Sequence, residues 1–260
     1  MKCKICDNET NLFEKGEVLS KYSVSYFHCP QCGFMQTEEP YWLEESYSKA
    51  ITSTDIGLVS RNLALADVTR KLILAFLNPE GKFVDYGGGY GMFVRLMRDG
   101  GFDFYRDDPL CENLFSVGFD ASTNVSYDLL TAWEVFEHLA DPLAEVEKMI
   151  GFSHNIVFST RLLTVPNQPL GRWWYYGLEH GQHVSFYTKA SLELIARKFG
   201  LILVYSDGLL HWFSKTAIPP LKARVVFSTK LPWLLKIISK RPPSSLLRGD
   251  FEKLTGLQLK

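Results

Sequence analysis

The spacing of apolar side chains changes period several times along the chain. Residues 41–78 read as helical: "YWLEESYSKA" comes first, then "SRNLALADVTRKLILAFL", where Leu63, Ala66, Leu72 and Leu77 recur at near-helical spacing. From Phe83 the pattern alternates. A short strand (83–86) runs into four glycines within five positions, "GGGYG", and then into a helix whose Phe93, Val94, Leu96 and Met97 form an apolar face. "FDFYRDD" and "YDLLTAWE" read as strands, "DPLAEVEKMI" as a helix, "NIVFST" as a strand, and "SLELIARKFG" as a helix with a glycine cap. "LILVYS" and "LLHWFS" flank Asp207-Gly208, a strong hairpin signal. Alternating strands and helices with a terminal hairpin predict an α/β fold, its sheet mostly parallel with one antiparallel strand near the end.

Composition narrows the class. The 260 residues carry a net charge of −1, with 46% hydrophobic and 22% charged residues, as in an ordinary globular chain. Such a balance gives no global reason to bind nucleic acid. The opening "MKCKICDNET" is too polar for a signal peptide and no apolar run approaches ~18 residues, so a cytoplasmic chain without a membrane span is expected. Three regions are expected: a four-cysteine segment at 1–40, the main domain with a helical lid at 41–215, and a tail at 216–260. The tail holds nine Lys or Arg against Asp250 and Glu252 and includes "LPWLLKIISKR". A helical cap on the main domain is the favoured reading; an interfacial helix touching a membrane or a lipid-linked glycan is the other.

The cysteines carry the first chemistry. Cys3-Lys-Ile-Cys6 and Cys29-Pro-Gln-Cys32 are two C-x-x-C pairs, and two such turns complete a tetrahedron of thiolates. "SVSYFHC" between them alternates like a strand, as in a zinc ribbon. Four soft ligands favour Zn²⁺, and a closed site implies a structural ion. Cys111 is left over without a role.

The glycine loop carries the second. A dinucleotide fingerprint needs G-x-G-x-x-G, but the third position is Met92 counted from Gly87 and Val94 counted from Gly89. Asp85, just before the loop, would repel a pyrophosphate and suits a cationic ligand. "VDYGGGYG" resembles motif I of the class I S-adenosylmethionine-dependent methyltransferases. "YDLLTAWEVFEHLADP" is similar to that family's strand running into E-V-x-E-H, and "GQHVSFYTKASLELIARKFGL" to its downstream element. The resemblance covers most of residues 83–214 and implies a Rossmann-like, seven-stranded sheet with S-adenosylmethionine on the loop. It implies that Gly87, Gly88, Gly89, Tyr90 and Gly91 line the cofactor, that Asp85 faces its amino-acid end, that Asp108 binds the ribose diol, and that Glu134 lies at the same strand edge. Between Pro109 and Tyr127 the family's third strand is not clear, and Asp120 is its only candidate acid. Arg61 is a candidate clamp for the cofactor carboxylate.

If the chain enters a helix after Glu134, then Glu134, Glu137 and His138 stand at i, i+3 and i+4 on one face, with His183 downstream. This set resembles the divalent-cation site of small-RNA 2′-O-methyltransferases and ubiquinone-pathway O-methyltransferases. Without a cation, His183 is the candidate general base, because imidazole titrates near neutral pH. "GRWWYYG" offers rings for a sugar or flat acceptor, or a hydrophobic cover. The expected activity is methyl transfer to a small molecule, preferably the oxygen of a sugar or polysaccharide precursor, because the N-terminal cysteine site recurs in such family members. The rivals are a non-catalytic zinc-ribbon docking module and an NAD-dependent oxidoreductase.

Overall fold

The computed structural model describes residues 1–47, 55–164, 167–228 and 240–259. At the N-terminus β1 (Asn11–Val18) and β2 (Tyr22–His28) form an antiparallel hairpin, and β3 (Met35–Thr37) pairs with β2. This small sheet is completed by a strand from far along the chain, β8 (Ser185–Phe186), with Met35 opposite Phe186 and Gln36 opposite Ser185.

Six further strands form a mostly parallel sheet. They are β4 (Lys82–Tyr86), β5 (Asp103–Asp107), β6 (Leu129–Ala132), β7 (Ile156–Ser159), β9 (Ile202–Ser206) and β10 (Leu210–Ser214), in the order β5-β4-β6-β7-β10-β9. β4 runs parallel to both β5 and β6, while β9 and β10 are the antiparallel hairpin around Asp207-Gly208. Leu129, Leu130, Ile156, Val157 and Phe158 are all buried, the continuous apolar run of strands covered on both faces. Among the described residues the sheet has six strands and not seven. The chain between Pro109 and Tyr127 contributes only an isolated bridge, Arg106 to Asp120, where a seventh would lie, because it is spent on turns that fold back onto the glycine loop.

The helices are α1 (Leu43–Ser46), α2 (Leu58–Phe76), α3 (Met92–Asp99), α4 (Pro142–Phe152), α5 (Lys189–Lys198), α6 (Pro220–Phe227) and a C-terminal helix, Leu247–Thr255. α2 buries Leu65, Ala66, Thr69, Leu72 and Ile73, an i, i+1, i+4, i+7, i+8 stripe, so Leu63 faces solvent. α5 opens on a capping box in which Thr188 and Ser191 satisfy each other's amides.

The chain divides into two compact units. Met1–Thr52, Ala132–Ile150 and Val157–Thr216 form the first, with a core of Val18, Tyr26, Trp42, Tyr175, Tyr176 and Phe186 among others. Ser53–Thr131, Gly151–Ile156 and Ala217–Lys260 form the second. The expected interfacial segment "LPWLLKIISKR" lies largely outside the described residues. The described part of the tail packs onto its own unit. Asp250 accepts from Arg98 Nε and Nη2 at 2.8 and 2.7 Å and pairs with Arg95 at 2.9 Å. Arg98 also donates to Asp103 and to the carbonyl of Phe104, and its guanidinium lies 3.7 Å from the Phe119 ring centroid. No described helix is long and apolar enough to cross a membrane.

Burial alone would raise the Asp250 carboxyl, but the Arg98 and Arg95 guanidiniums outweigh it and hold the group below its ordinary 3.8. Its contribution is therefore complete above that value and is lost as pH falls through the lowered one. Asp250→Ala removes two charge-assisted hydrogen bonds from a buried guanidinium that keeps Asp103 and the Phe104 carbonyl, and is expected to cost about 1.5–3 kcal/mol. Urea midpoints at neutral pH check this, and the difference from the parent protein should shrink in acid.

Candidate active site

The glycine loop joins β4 to α3, and three charged side chains of its own unit shape it. Gly89 has φ +53°, a conformation that a side chain disfavours. Its N–H donates to Asp108 Oδ2 at 2.8 Å, and its carbonyl accepts from Arg106 Nε at 2.5 Å. Both sides of one residue are thus pinned, and a Cβ added to Gly89 would meet nothing within 4 Å. Gly87 is fixed by its N–H to the Asp107 carbonyl at 2.7 Å. The Tyr90 carbonyl accepts from the amides of Leu114 and Phe115. Gly91, at φ +84°, precedes α3, and a Cβ there would collide with Ser116 Oγ.

Asp85 lies under this loop, only 2% exposed. A Cβ on Gly88 would stand 2.9 Å from Asp85 Oδ2, so the carboxyl backs the loop directly. Burial pushes Asp85 up to about 7; the 2.6 Å hydrogen bond from Thr131 Oγ1 works against that rise. Asp108 accepts three amides, from Gly89, Leu110 and Cys111. With three of about four acceptor directions filled, it has room for one more donor. Arg61 makes a two-point pair with Asp55 at 3.0 and 2.7 Å.

Arg106 was not among the sequence candidates. It is 4% exposed and donates to the carbonyls of Gly89 and Cys111 and to Asp120. The signal was present: in β5 the burial alternates, and Arg106 takes an inward position, where a charge needs partners.

The carboxylate–histidine group lies in the other unit. The expected helix after β6 does not form. Glu134 adopts φ +53°, and Phe136–His138 make a single 3₁₀ turn. Glu134, Glu137 and His138 therefore do not share one helical face. Glu134 is clasped instead by Ser159, whose Oγ accepts from the Glu134 N–H at 2.7 Å and donates to Glu134 Oε1 at 2.5 Å. Glu137, His138 and His183 converge, each offering one ligand atom within 4.8 Å of the others. Glu137 is fully buried; neither carboxyl oxygen makes a hydrogen bond within 3.5 Å, and the hydroxyls of Tyr175 and Thr160 that face it only partly offset its burial. Burial, then the charge of Glu134, pushes it up to about 8.

His183 Nδ1 lies 2.6 Å from the Tyr175 carbonyl, which only accepts, so that Nδ1 carries the proton and Nε2 keeps a lone pair. His138 Nδ1 lies between the Gln182 carbonyl at 3.1 Å and the Tyr47 hydroxyl at 3.0 Å, a group that both donates and accepts. Burial holds His183 well below its ordinary value and brings His138 down to about 4, so both are neutral at pH 7.

The four N-terminal cysteines are free of disulfides, and their sulfurs all lie within 4.8 Å of one another. Cys3 and Cys32 are 3.6 Å apart, Cys6 and Cys29 3.5 Å. A tetrahedral metal with arms of about 2.3 Å has edges near ~3.8 Å, so the sulfur set fits such an ion. The second turn is keyed to α5. Thr188 donates to the Cys32 carbonyl at 2.7 Å while its oxygen caps that helix, and Gly33, at φ +74°, leaves room for the Thr188 methyl.

A mostly parallel α/β sheet whose β4 runs through a pinned glycine loop into a helix has a doubly wound architecture, in which ligands bind beyond the carboxyl ends of the strands. The model of a family described as "Methyltransferase domain" matches residues 60–206, more than half of the chain. The chain belongs to that family, and its class is that of the methyltransferases. Among curated proteins none matches the sequence. Solved structures with a likeness include the plantazolicin methyltransferase BpumL in complex with SAH, at 12% identity and TM-score 0.44, covering 68% of this chain and 95% of that one. Human N-acetylserotonin methyltransferase in complex with SAM is 15% identical, with TM-score 0.42 and coverage of 68% and 66%. Magnesium protoporphyrin IX methyltransferase from Synechocystis PCC 6803 with bound SAH is 12% identical, with TM-score 0.40 and coverage of 67% and 93%.

Gly91→Ala combines left-handed strain of about 1–2 kcal/mol with a collision. Its thermal midpoint should fall clearly, measured by circular dichroism, whereas Gly89→Ala should cost about the strain alone.

Proposed function

We propose that the chain transfers a methyl group from S-adenosylmethionine to an oxygen of a small molecule, a sugar or polysaccharide precursor being the preferred acceptor. The observation that carries the donor half is Gly89: left-handed, pinned on both sides, and open where a side chain would be. S-adenosylmethionine, when bound, supplies an electrophilic methyl group on a sulfonium. Gly87–Gly91 would give the close main-chain approach, and Asp85 a carboxyl beneath the loop for a cationic ligand. Asp108 would hold the loop's shape and offer its remaining acceptor direction to a ribose hydroxyl. The acceptor half rests on resemblance and on the ring-rich segment Trp173–Tyr176.

In the acceptor half His183 would receive the hydroxyl proton on Nε2, its ring held by the Tyr175 carbonyl. A second reading of the same group is favoured by the two buried oxygens of Glu137, which make no close hydrogen bond. In it Glu137, His138 and His183 hold a divalent cation, which would lower the proton affinity of an acceptor hydroxyl. The four cysteines would hold a structural Zn²⁺, with no open position for chemistry.

Calorimetric titration with S-adenosylhomocysteine tests the donor assignment: saturable binding is expected, with none for NADH and a large loss in folded Gly89→Ala. Absence of binding by folded parent protein would sink it. Chelator-treated protein separates the two acceptor readings. Under the cation reading Mg²⁺ or Mn²⁺ restores methyl transfer and Glu137→Gln abolishes that response; a rate indifferent to both ions leaves His183 as the base. For the cysteines, one zinc per chain should be released by a thiol-modifying mercurial, and Cys32→Ser should lower both zinc content and thermal midpoint.

A further inference from the structure

The four rings of "GRWWYYG" are divided by the fold. Tyr175 and Tyr176 are buried and Trp173 packs against the same core, but Trp174 is 69% exposed. Over its ring, 5.3 Å from the centroid, lies the guanidinium of Arg161. Arg161 is itself exposed and has no carboxylate partner among the described residues. An exposed guanidinium beside an aromatic ring can offer its N–H donors to a carboxylate or phosphate at two points while the ring packs against a sugar.

This exposed pair is built onto the catalytic candidates. Arg161 follows β7 by two residues, and its N–H donates to Tyr175 Oη at 3.0 Å. That hydroxyl also meets Thr160 Oγ1 at 3.2 Å, while the carbonyl of the same tyrosine orients His183. The rings run on without a break: Trp174 to Tyr175 at 5.5 Å, Tyr175 to His183 at 4.7 Å, His183 to His138 at 4.9 Å. One tyrosine therefore sets both the base and the backbone that carries the arginine.

We propose that the acceptor is an anionic sugar, its ring against Trp174 and its acidic group in the fork of Arg161. This rests on the methyltransferase reading and names its substrate class. The shared chemistry is a sugar ring bearing a carboxylate or a phosphate. A hydrogen-bonded charge pair at such a site corresponds to roughly ten- to a hundredfold in affinity.

Ligand-observed NMR on the full chain loaded with S-adenosylhomocysteine tests this, with glucuronate, glucose 1-phosphate and neutral methyl glucoside as probes. At least one acid should bind about tenfold more tightly than methyl glucoside, and which one does so separates carboxylate from phosphate recognition. That preference should vanish in Arg161→Gln, be partly kept in Arg161→Lys, weaken in Trp174→Leu, and fade in about 0.5 M salt. Equal binding of neutral and acidic sugars, acids that bind Arg161→Gln as well as the parent, or no sugar binding to the loaded protein would each overturn the proposal. S-adenosylhomocysteine affinity is measured on every variant. If it is intact, only the acceptor class is at stake; if the parent fails to bind it, the methyltransferase reading falls as well.

Discussion

A guanidinium buried under a loop must be met by oxygens, and at Arg106 two of them belong to the main chain. The shape of the glycine loop follows from that requirement. Arg106 draws the Gly89 carbonyl down while Asp108 holds the Gly89 amide. A peptide tied at both ends can sit in the left-handed region, and only glycine does so at little cost. Asp85 then packs beneath Gly88, and Thr131 from the neighbouring strand satisfies it. The loop is held open by charges below it before any ligand arrives, which is what preorganisation requires of a binding site.

The opposite condition holds around Glu137. There the buried carboxyl makes no close hydrogen bond, a state that globular proteins rarely leave uncompensated. Two neutral imidazoles stand beside it, the His183 ring held by the Tyr175 carbonyl and the His138 ring by the Gln182 carbonyl and the Tyr47 hydroxyl. With its carboxyl raised to about 8, Glu137 holds its proton at neutral pH. The cysteine module follows a third rule. With little core of its own, it borrows one through β8, and through a threonine that closes the second cysteine turn and opens α5 with the same side chain.

Much of this was legible in the chain. The strand before "GGGYG", the two C-x-x-C pairs and the Asp207-Gly208 hairpin are local patterns, and each appears where the pattern places it. Local spacing misled at two points. Leu63 continued an apolar series but faces water, because the buried stripe of α2 runs through Leu65 and Ile73. The spacing of Glu134, Glu137 and His138 implied one helical face. The chain instead takes a left-handed turn that Ser159 stabilises from another strand.

The sequence by itself determined the α/β class, the glycine loop and the ligand types, because period and turn chemistry are written in neighbouring residues. Only the tertiary structure decided which charges lie beneath the loop, that Glu134 is held by Ser159 and shares no helical face with Glu137 and His138, and that a single tyrosine links His183 to Arg161. Those pairings join residues of different strands and turns. They are settled by which buried donors and acceptors can satisfy one another at once, a condition that no local pattern contains.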